Sequence, residues 1–129
     1  MKLLPFVRQV CWRWRYPNTL PEEIFDVLGL QIMPKISFEE LLKTLTDSDC
    51  CPGRLFRFMP REKAERVFRL AQQKEFFPNE TLFSYYFSEG WLEFVLRFDD
   101  ESRLRRLYVQ HGNLPGDSGM EIILAAALK

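Results

Sequence analysis

The chain has 129 residues, enough for one domain that buries roughly two-thirds of the surface its unfolded form exposes. Hydrophobic residues make up 47% and charged residues 28%, a globular balance that excludes a disordered or low-complexity chain and requires no structural metal or disulfide framework. The 18 basic and 18 acidic side chains cancel, which argues against nucleic acid as a partner, since that binding rests on neutralising phosphates.

The charge is unevenly spread. The first 21 residues hold Lys2, Arg8, Arg13 and Arg15 and no acid. No uninterrupted apolar run of signal-peptide length follows, although a basic, acid-free start is shared with organellar targeting segments. No run is long enough to cross a membrane. The segment "LLPFVRQVCWRWRYP" has two readings. As a helix from Pro5, stopped by Pro17, it sets Leu3, Val7, Val10 and Trp14 on one face. As a strand, Val10, Trp12, Trp14 and Tyr16 alternate with Cys11, Arg13 and Arg15. The helix is the favoured expectation.

In "TLPEEIFDVLG", Thr19 and Glu22 have capping-box spacing, and Gly29 sits where a left-handed terminator belongs. "LQIMP" then reads as extended, because Pro34 disfavours helix at Met33. "ISFEELLKTL" carries the best local signal of the chain. Ser37 caps, Glu40 reaches back, Ile36 and Leu41 occupy the staple positions, and Phe38, Leu41, Leu42 and Leu45 form a buried stripe. After the breaker "TDSDCCPG", a longer helix is expected from Pro60 along "PREKAERVFRLAQQK". Its inward positions are Ala64, Val67, Phe68 and Ala71, its outward ones Arg61, Glu62, Glu65, Arg66 and Arg69, and "FFPN" ends it.

A meander follows. Gly90, in the Ser88-Glu89-Gly90 connection, is expected at positive φ, and Asp99-Asp100-Glu101-Ser102 forms a polar turn. If Phe87 pairs with Trp91, then Leu82, Ser84 and Tyr86 share the helix-covered face with Leu92, Phe94 and Leu96. If Asp99 pairs with Ser102, the third strand adds Leu107 and Val109, with Arg103 and Arg105 on that face near the turn. The opposite face then collects Phe83, Tyr85, Phe87, Trp91, Val95 and Tyr108 among Glu93, Arg97 and Arg106. Either the N-terminal segment or the tail "MEIILAAALK" covers these rings, or they dock a partner. Capping spacing of Ser118 and Glu121 allows a helical tail, whereas its IILA run allows a further strand.

Chemistry-bearing motifs are sparse. Cys11, Cys50 and Cys51 lack metal spacing and read as reduced thiols of a cytoplasmic protein. Asn79-Glu80-Thr81 matches a glycosylation sequon with no secretion signal to give it meaning. "GDSG" at 116–119 resembles the nucleophile segment of trypsin-like serine proteases over four residues, in a chain too small for that double barrel. It reads as a flexible connection, and His111 as a solvent-facing strand end. "DDE" at 99–101 lacks the spacing of a calcium loop, and neither phosphate-binding glycine motif occurs. No catalytic residue, cofactor or metal site is expected.

The expectation is one α+β domain over residues 1–129, with N-terminal helices on one face of a C-terminal antiparallel meander of three or four strands. Functionally it reads as a small soluble non-enzymatic interaction protein, an assembly factor, adaptor or regulator. Phe83, Tyr85, Trp91, Arg97, Arg106 and Tyr108 are its candidate residues for binding a protein partner or for self-association. The alternatives are a single-stranded nucleic-acid binder and a small-ligand carrier or enzyme.

Overall fold

The computed structural model of the protein describes residues 19–30, 36–47, 50–111 and 119–126. The expectations for the N-terminal helix, for "QIMP" and for "GNLPGDS" fall outside them.

Among the described residues, three short helices come first. In α1 (Pro21–Leu28), Pro21 takes the first helical position and moves the cap to Leu20, whose N–H donates to the Glu23 carboxylate at 2.6 Å. The expected Thr19/Glu22 pair is therefore corrected by one residue. Thr19 turns to the sheet, its N–H donating to the Tyr86 carbonyl (2.6 Å) and its hydroxyl to Gln72 Oε1 (3.1 Å). Gly29 closes the helix at φ 75°, as expected. In α2 (Phe38–Leu45) both arms of the Ser37/Glu40 box are present at 3.0 Å. The third helix, α3 (Arg61–Val67), is shorter than its pattern suggests. It stops where Phe68 enters the core, stacked on Phe83 at 4.9 Å between ring centroids and tilted against Phe94 at 5.3 Å.

The residues after α3 form a strand, β1 (Gln73–Phe77), rather than a helix end. Of "FFPN", Phe76 and Phe77 end β1 and Pro78-Asn79 turn into β2 (Glu80–Tyr86), and β3 (Trp91–Phe98), β4 (Leu104–Gln110) and β5 (Met120–Ile122) follow. All neighbours are antiparallel and the spatial order is β1-β2-β3-β4-β5, an unbroken meander of five strands where three or four were expected. The tail of the chain thus supplies an edge strand.

Register decides which side chains face the helices. Trp91 pairs with Tyr86 and not with Phe87, whose N–H instead donates to the Gly90 carbonyl at 2.8 Å. A shift of one residue inverts the whole of β2. Phe83, Tyr85 and Phe87 join Leu92, Phe94 and Leu96 on the helix-covered face, while Leu82, Ser84 and Tyr86 turn to the other. Gly90 has no positive φ. Its place demands glycine for another reason, since a Cβ there would stand 2.9 Å from the Phe38 ring. At the second turn Asp99 pairs with Arg103 through N–H to carbonyl contact (3.0 Å), and an irregularity follows between Arg97 and Phe98. It turns Leu104 inward in place of Arg103 and Arg105, and Leu107 and Val109 keep their expected core positions.

N-terminal helices thus pack against a C-terminal antiparallel sheet, an α+β fold, through Ile24, Phe25, Leu28, Phe38, Leu41 and Leu45. Arg61, expected outside, reaches from α3 over the sheet. It donates to the carbonyls of Pro78 (2.6 Å) and Phe77 (2.7 Å) and to Thr81 Oγ1 (3.0 Å), pairs with Glu65 (3.0 Å), and lies 4.7 Å above the Phe98 ring. No helix among the described residues is long and apolar enough to cross a membrane.

Candidate protein-interaction site

The six residues proposed for partner binding separate in the structure. Phe83 and Tyr85 are each 1% exposed and belong to the core beneath the helices, so the expectation that they face a partner is corrected. The cause is the β2–β3 register. Trp91 is half-buried at the start of β3, about 20 Å of strand away from Arg97. Arg97, Arg106 and Tyr108 remain together on the second face of the sheet.

That face is not uniformly open. Its middle, with Leu82, Ser84, Tyr86, Glu93 and Val95, is buried within the chain. Glu93 accepts hydrogen bonds there from Ser84 Oγ (3.5 Å) and Gln110 Nε2 (3.3 Å), the residues flanking it in register. The accessible part is the end formed by the second half of β3, the first half of β4, and β5.

Two guanidiniums, Arg97 and Arg106, stand directly opposite each other there. Arg97 pairs with Glu80 (3.3 Å) and lies 5.1 Å from the Tyr108 ring, and Arg106 pairs with Glu121 (3.2 Å). The Tyr108 hydroxyl, and then the Glu121 carboxylate, hold the Arg106 guanidinium even more firmly protonated than usual. Arg57, Arg105, Ile123 and Leu124 join Arg97, Arg106 and Glu121 in lining a cleft of about 580 Å³.

The segment before α3 completes this end. Phe56 bridges to Ala125, Arg57 N–H donates to the Ala125 carbonyl (2.8 Å), and Phe58 N–H donates to the Leu104 carbonyl (2.6 Å). Phe58 adopts φ 71°, a left-handed conformation that disfavours any residue with a Cβ. It leaves the ring 43% exposed, with Arg105 at 4.7 Å and Arg103 at 5.4 Å from its centroid. Sequence reading missed Phe58, since nothing in "RLFRFM" announces a positive φ. The outcome is a surface cluster of rings and charged residues at the sheet end, consistent with a protein-interaction surface.

Elsewhere on the surface, Val27, Phe56, Met59, Val67 and Leu70 line a groove of about 570 Å³ bordered by Arg54, Lys63, Arg66 and Arg69. Phe76 and Phe77 are exposed on edge strand β1. His111 follows β4 half-buried rather than solvent-facing, and burial lowers its pKa. Burial pushes the Cys50 thiol up to about 11, the adjacent Cys51 thiol and Asp47 adding to the effect, so it is protonated and unreactive near neutral pH. No group of three or more His, Cys, Asp and Glu among the described residues is arranged to hold a metal ion. Comparison with protein-family models, curated proteins and solved structures finds no match, so the functional reading rests on the chain's own geometry.

Proposed function

We propose that this protein is a non-enzymatic interaction protein of a reducing, cytoplasmic setting, an adaptor, assembly factor or regulator, that docks an acidic segment of a partner protein in the arginine cleft. The observation that carries the reading is the cross-strand pair Arg97 and Arg106, flanked by Arg57 and Arg105 in one concavity. Like charges placed opposite each other in a ladder oppose folding, and an anion laid between them reverses that repulsion. Guanidinium forks match carboxylates bidentately, and the contacts to Glu80, Glu121 and Tyr108 leave donors on both forks.

The exposed Phe58 and Ile123 and the half-buried Tyr108 give the reading its protein character. Phe58, Tyr108 and Ile123 supply the apolar contact that interface hot spots combine with arginine. A nucleic-acid strand fits less well, because Glu80, Asp99, Glu101 and Glu121 interrupt any continuous basic track.

The test is calorimetric titration with a synthetic glutamate-rich peptide carrying one aromatic residue, alongside its neutral counterpart and a single-stranded oligonucleotide. Saturable, salt-sensitive binding of the acidic peptide alone, lost in Arg97→Gln/Arg106→Gln, is the expected result. Binding of the oligonucleotide but not the peptide overturns the reading in favour of a nucleic-acid module.

A further inference from the structure

A second, smaller cavity lies on the helical side, where α1 meets the covered face of the sheet. It measures about 260 Å³ and is lined by Thr19, Glu22, Glu23, Asp26, Val27, Leu70 and Tyr85. Two of these residues carry a buried polar atom with no hydrogen-bond partner among the described residues, Glu22 Oε2 and the Tyr85 hydroxyl. Buried polar groups are nearly always paired, because an unmade hydrogen bond forfeits hydration with no return. Both residues line this one cavity, so an occupant that reached these atoms would supply what they lack.

The lining of the cavity favours a cationic occupant. It holds three carboxylates and no base, while Arg54 and Arg69 line the neighbouring groove, Arg69 acting on Tyr85 from there to offset part of the effect of burial. Glu23 is engaged by the Leu20 N–H, Asp26 by Arg54 at 3.7 Å, and Glu22 Oε1 by the Ile36 N–H at 3.5 Å, which leaves Glu22 Oε2 as the open acceptor. Tyr85 is 1% exposed, and its ring stands edge-on to Phe94 at 5.9 Å, so its hydroxyl is held inside the fold. Desolvation by burial raises its pKa, keeping it a neutral phenol that offers both a lone pair and a proton. Val27 and Leu70 give the cavity an apolar wall.

We propose that this cavity binds a small primary alkylammonium ligand, the ammonium donating to Glu22 Oε2 and the Tyr85 oxygen while its alkyl chain lies along Val27 and Leu70. In a diamine the second ammonium emerges beside Asp26 and Glu23 at the rim. The volume is below that of a drug-sized site, so it suits a chain of about the length of a lysine side chain.

The experiment titrates the full chain with 1,5-diaminopentane, n-pentylamine, 1-pentanol and N-acetyl-lysine amide, reading heat and tyrosine fluorescence, and repeats the series on Tyr85→Phe and Glu22→Gln. Saturable binding of both amines and not of pentanol is expected, weakened about tenfold or more in each variant. Tyr85→Phe, which deletes an unpaired buried hydroxyl, is expected to fold with unchanged or raised stability, so lost binding there is not lost structure. Stronger binding of the acetylated lysine amide than of the free amines assigns the cavity to a partner's side chain and overturns the small-ligand reading. No saturation by any amine at millimolar concentration, or equal binding by both variants, means that the cavity holds solvent only and overturns it too. None of these outcomes bears on the arginine cleft, whose residues are separate.

Discussion

Arg97 and Arg106 face each other across the β3–β4 ladder, and each guanidinium is met from the side by one carboxylate, Glu80 at 3.3 Å and Glu121 at 3.2 Å. All four side chains are about one-third or more exposed, and exposed ion pairs contribute little to stability. Repulsion between the two arginines acts in the opposite direction. Arg106→Gln is therefore expected to leave the urea midpoint close to that of the parent. Its affinity for an acidic peptide falls about tenfold or more, the range of a charge-assisted contact. Equal losses in stability and binding would identify Arg106 as a structural residue instead.

Phe58 gives an inverted substitution order. At φ 71° a side chain costs about 1 kcal/mol that glycine avoids, and the ring is 43% exposed, so its burial returns only part of what a core ring gives. Phe58→Gly is expected to be more stable than Phe58→Ala by about 1 kcal/mol, although alanine is favoured at ordinary positions. Both lose the contacts to Arg103 and Arg105 and both bind the acidic peptide more weakly. Paired thermal melts of the two variants decide the conformational part. Alanine at or above glycine in stability would refute a left-handed Phe58.

Arg61 fastens α3 to the β1–β2 turn. Its guanidinium meets the carbonyls of Phe77, Pro78 and Glu80, the Thr81 hydroxyl and Glu65, and its side chain is only 19% exposed. Arg61→Ala leaves those acceptors without their donor and is expected to cost about 2–3 kcal/mol in urea unfolding. Arg61→Lys restores a point charge without the fork and recovers only part of the loss. The contrast is Arg66→Ala, whose exposed pair with Glu62 at 3.2 Å contributes about 0–0.5 kcal/mol. Similar costs for the two alanines would show that the Arg61 network does not hold in solution.

The local signals in the sequence translated well and the long-range ones less so. Ser37 and Glu40 cap α2, and Gly29 ends α1, because those contacts lie within a few residues of one another. The alternation of β3 and β4 placed Leu92, Phe94, Leu96, Leu107 and Val109 inside correctly. Strand β2, by contrast, is apolar on both faces, with Leu82, Ser84 and Tyr86 as buried as Phe83 and Tyr85. Such a strand carries no pattern to resist a one-residue slip, and the turn alone decided the register. Gln73–Phe77 escaped notice because Gln73, Lys74 and Glu75, three of its five residues, read equally well as a helix end and as an edge strand. Of the candidate site, the chemistry of Arg97, Arg106 and Tyr108 was legible from their shared face. Arg57 and Phe58 were not, since the segment before α3 crosses to this end of the sheet in a way no local spacing encodes, nor was Arg105, which the irregularity between Arg97 and Phe98 turns away from its expected face.

Asp99 gives the fold a dependence on acid. Its partial desolvation works against the charged form. The N–H groups of Arg103 (3.0 Å) and Glu101 (2.9 Å) and the Arg103 guanidinium (3.3 Å) outweigh that and hold the carboxyl below its ordinary range. A folded-state pKa below the unfolded value near 4 means that the unfolded chain binds the proton more tightly. The contribution is therefore complete above about pH 4 and disappears as the pH falls through the lower folded value. Asp99→Asn keeps an oxygen for the two N–H groups and loses only the charge toward Arg103 and Arg105. The stability difference between the parent and Asp99→Asn, followed by urea unfolding from neutral pH downward, should stay constant to about pH 4 and shrink below it. Asp99→Ala, which also abandons both N–H groups, should remain less stable than Asp99→Asn at every pH. A parent–Asn difference that holds constant through that acid range would mean that hydrogen-bond geometry alone, and not the carboxylate charge, shapes this turn.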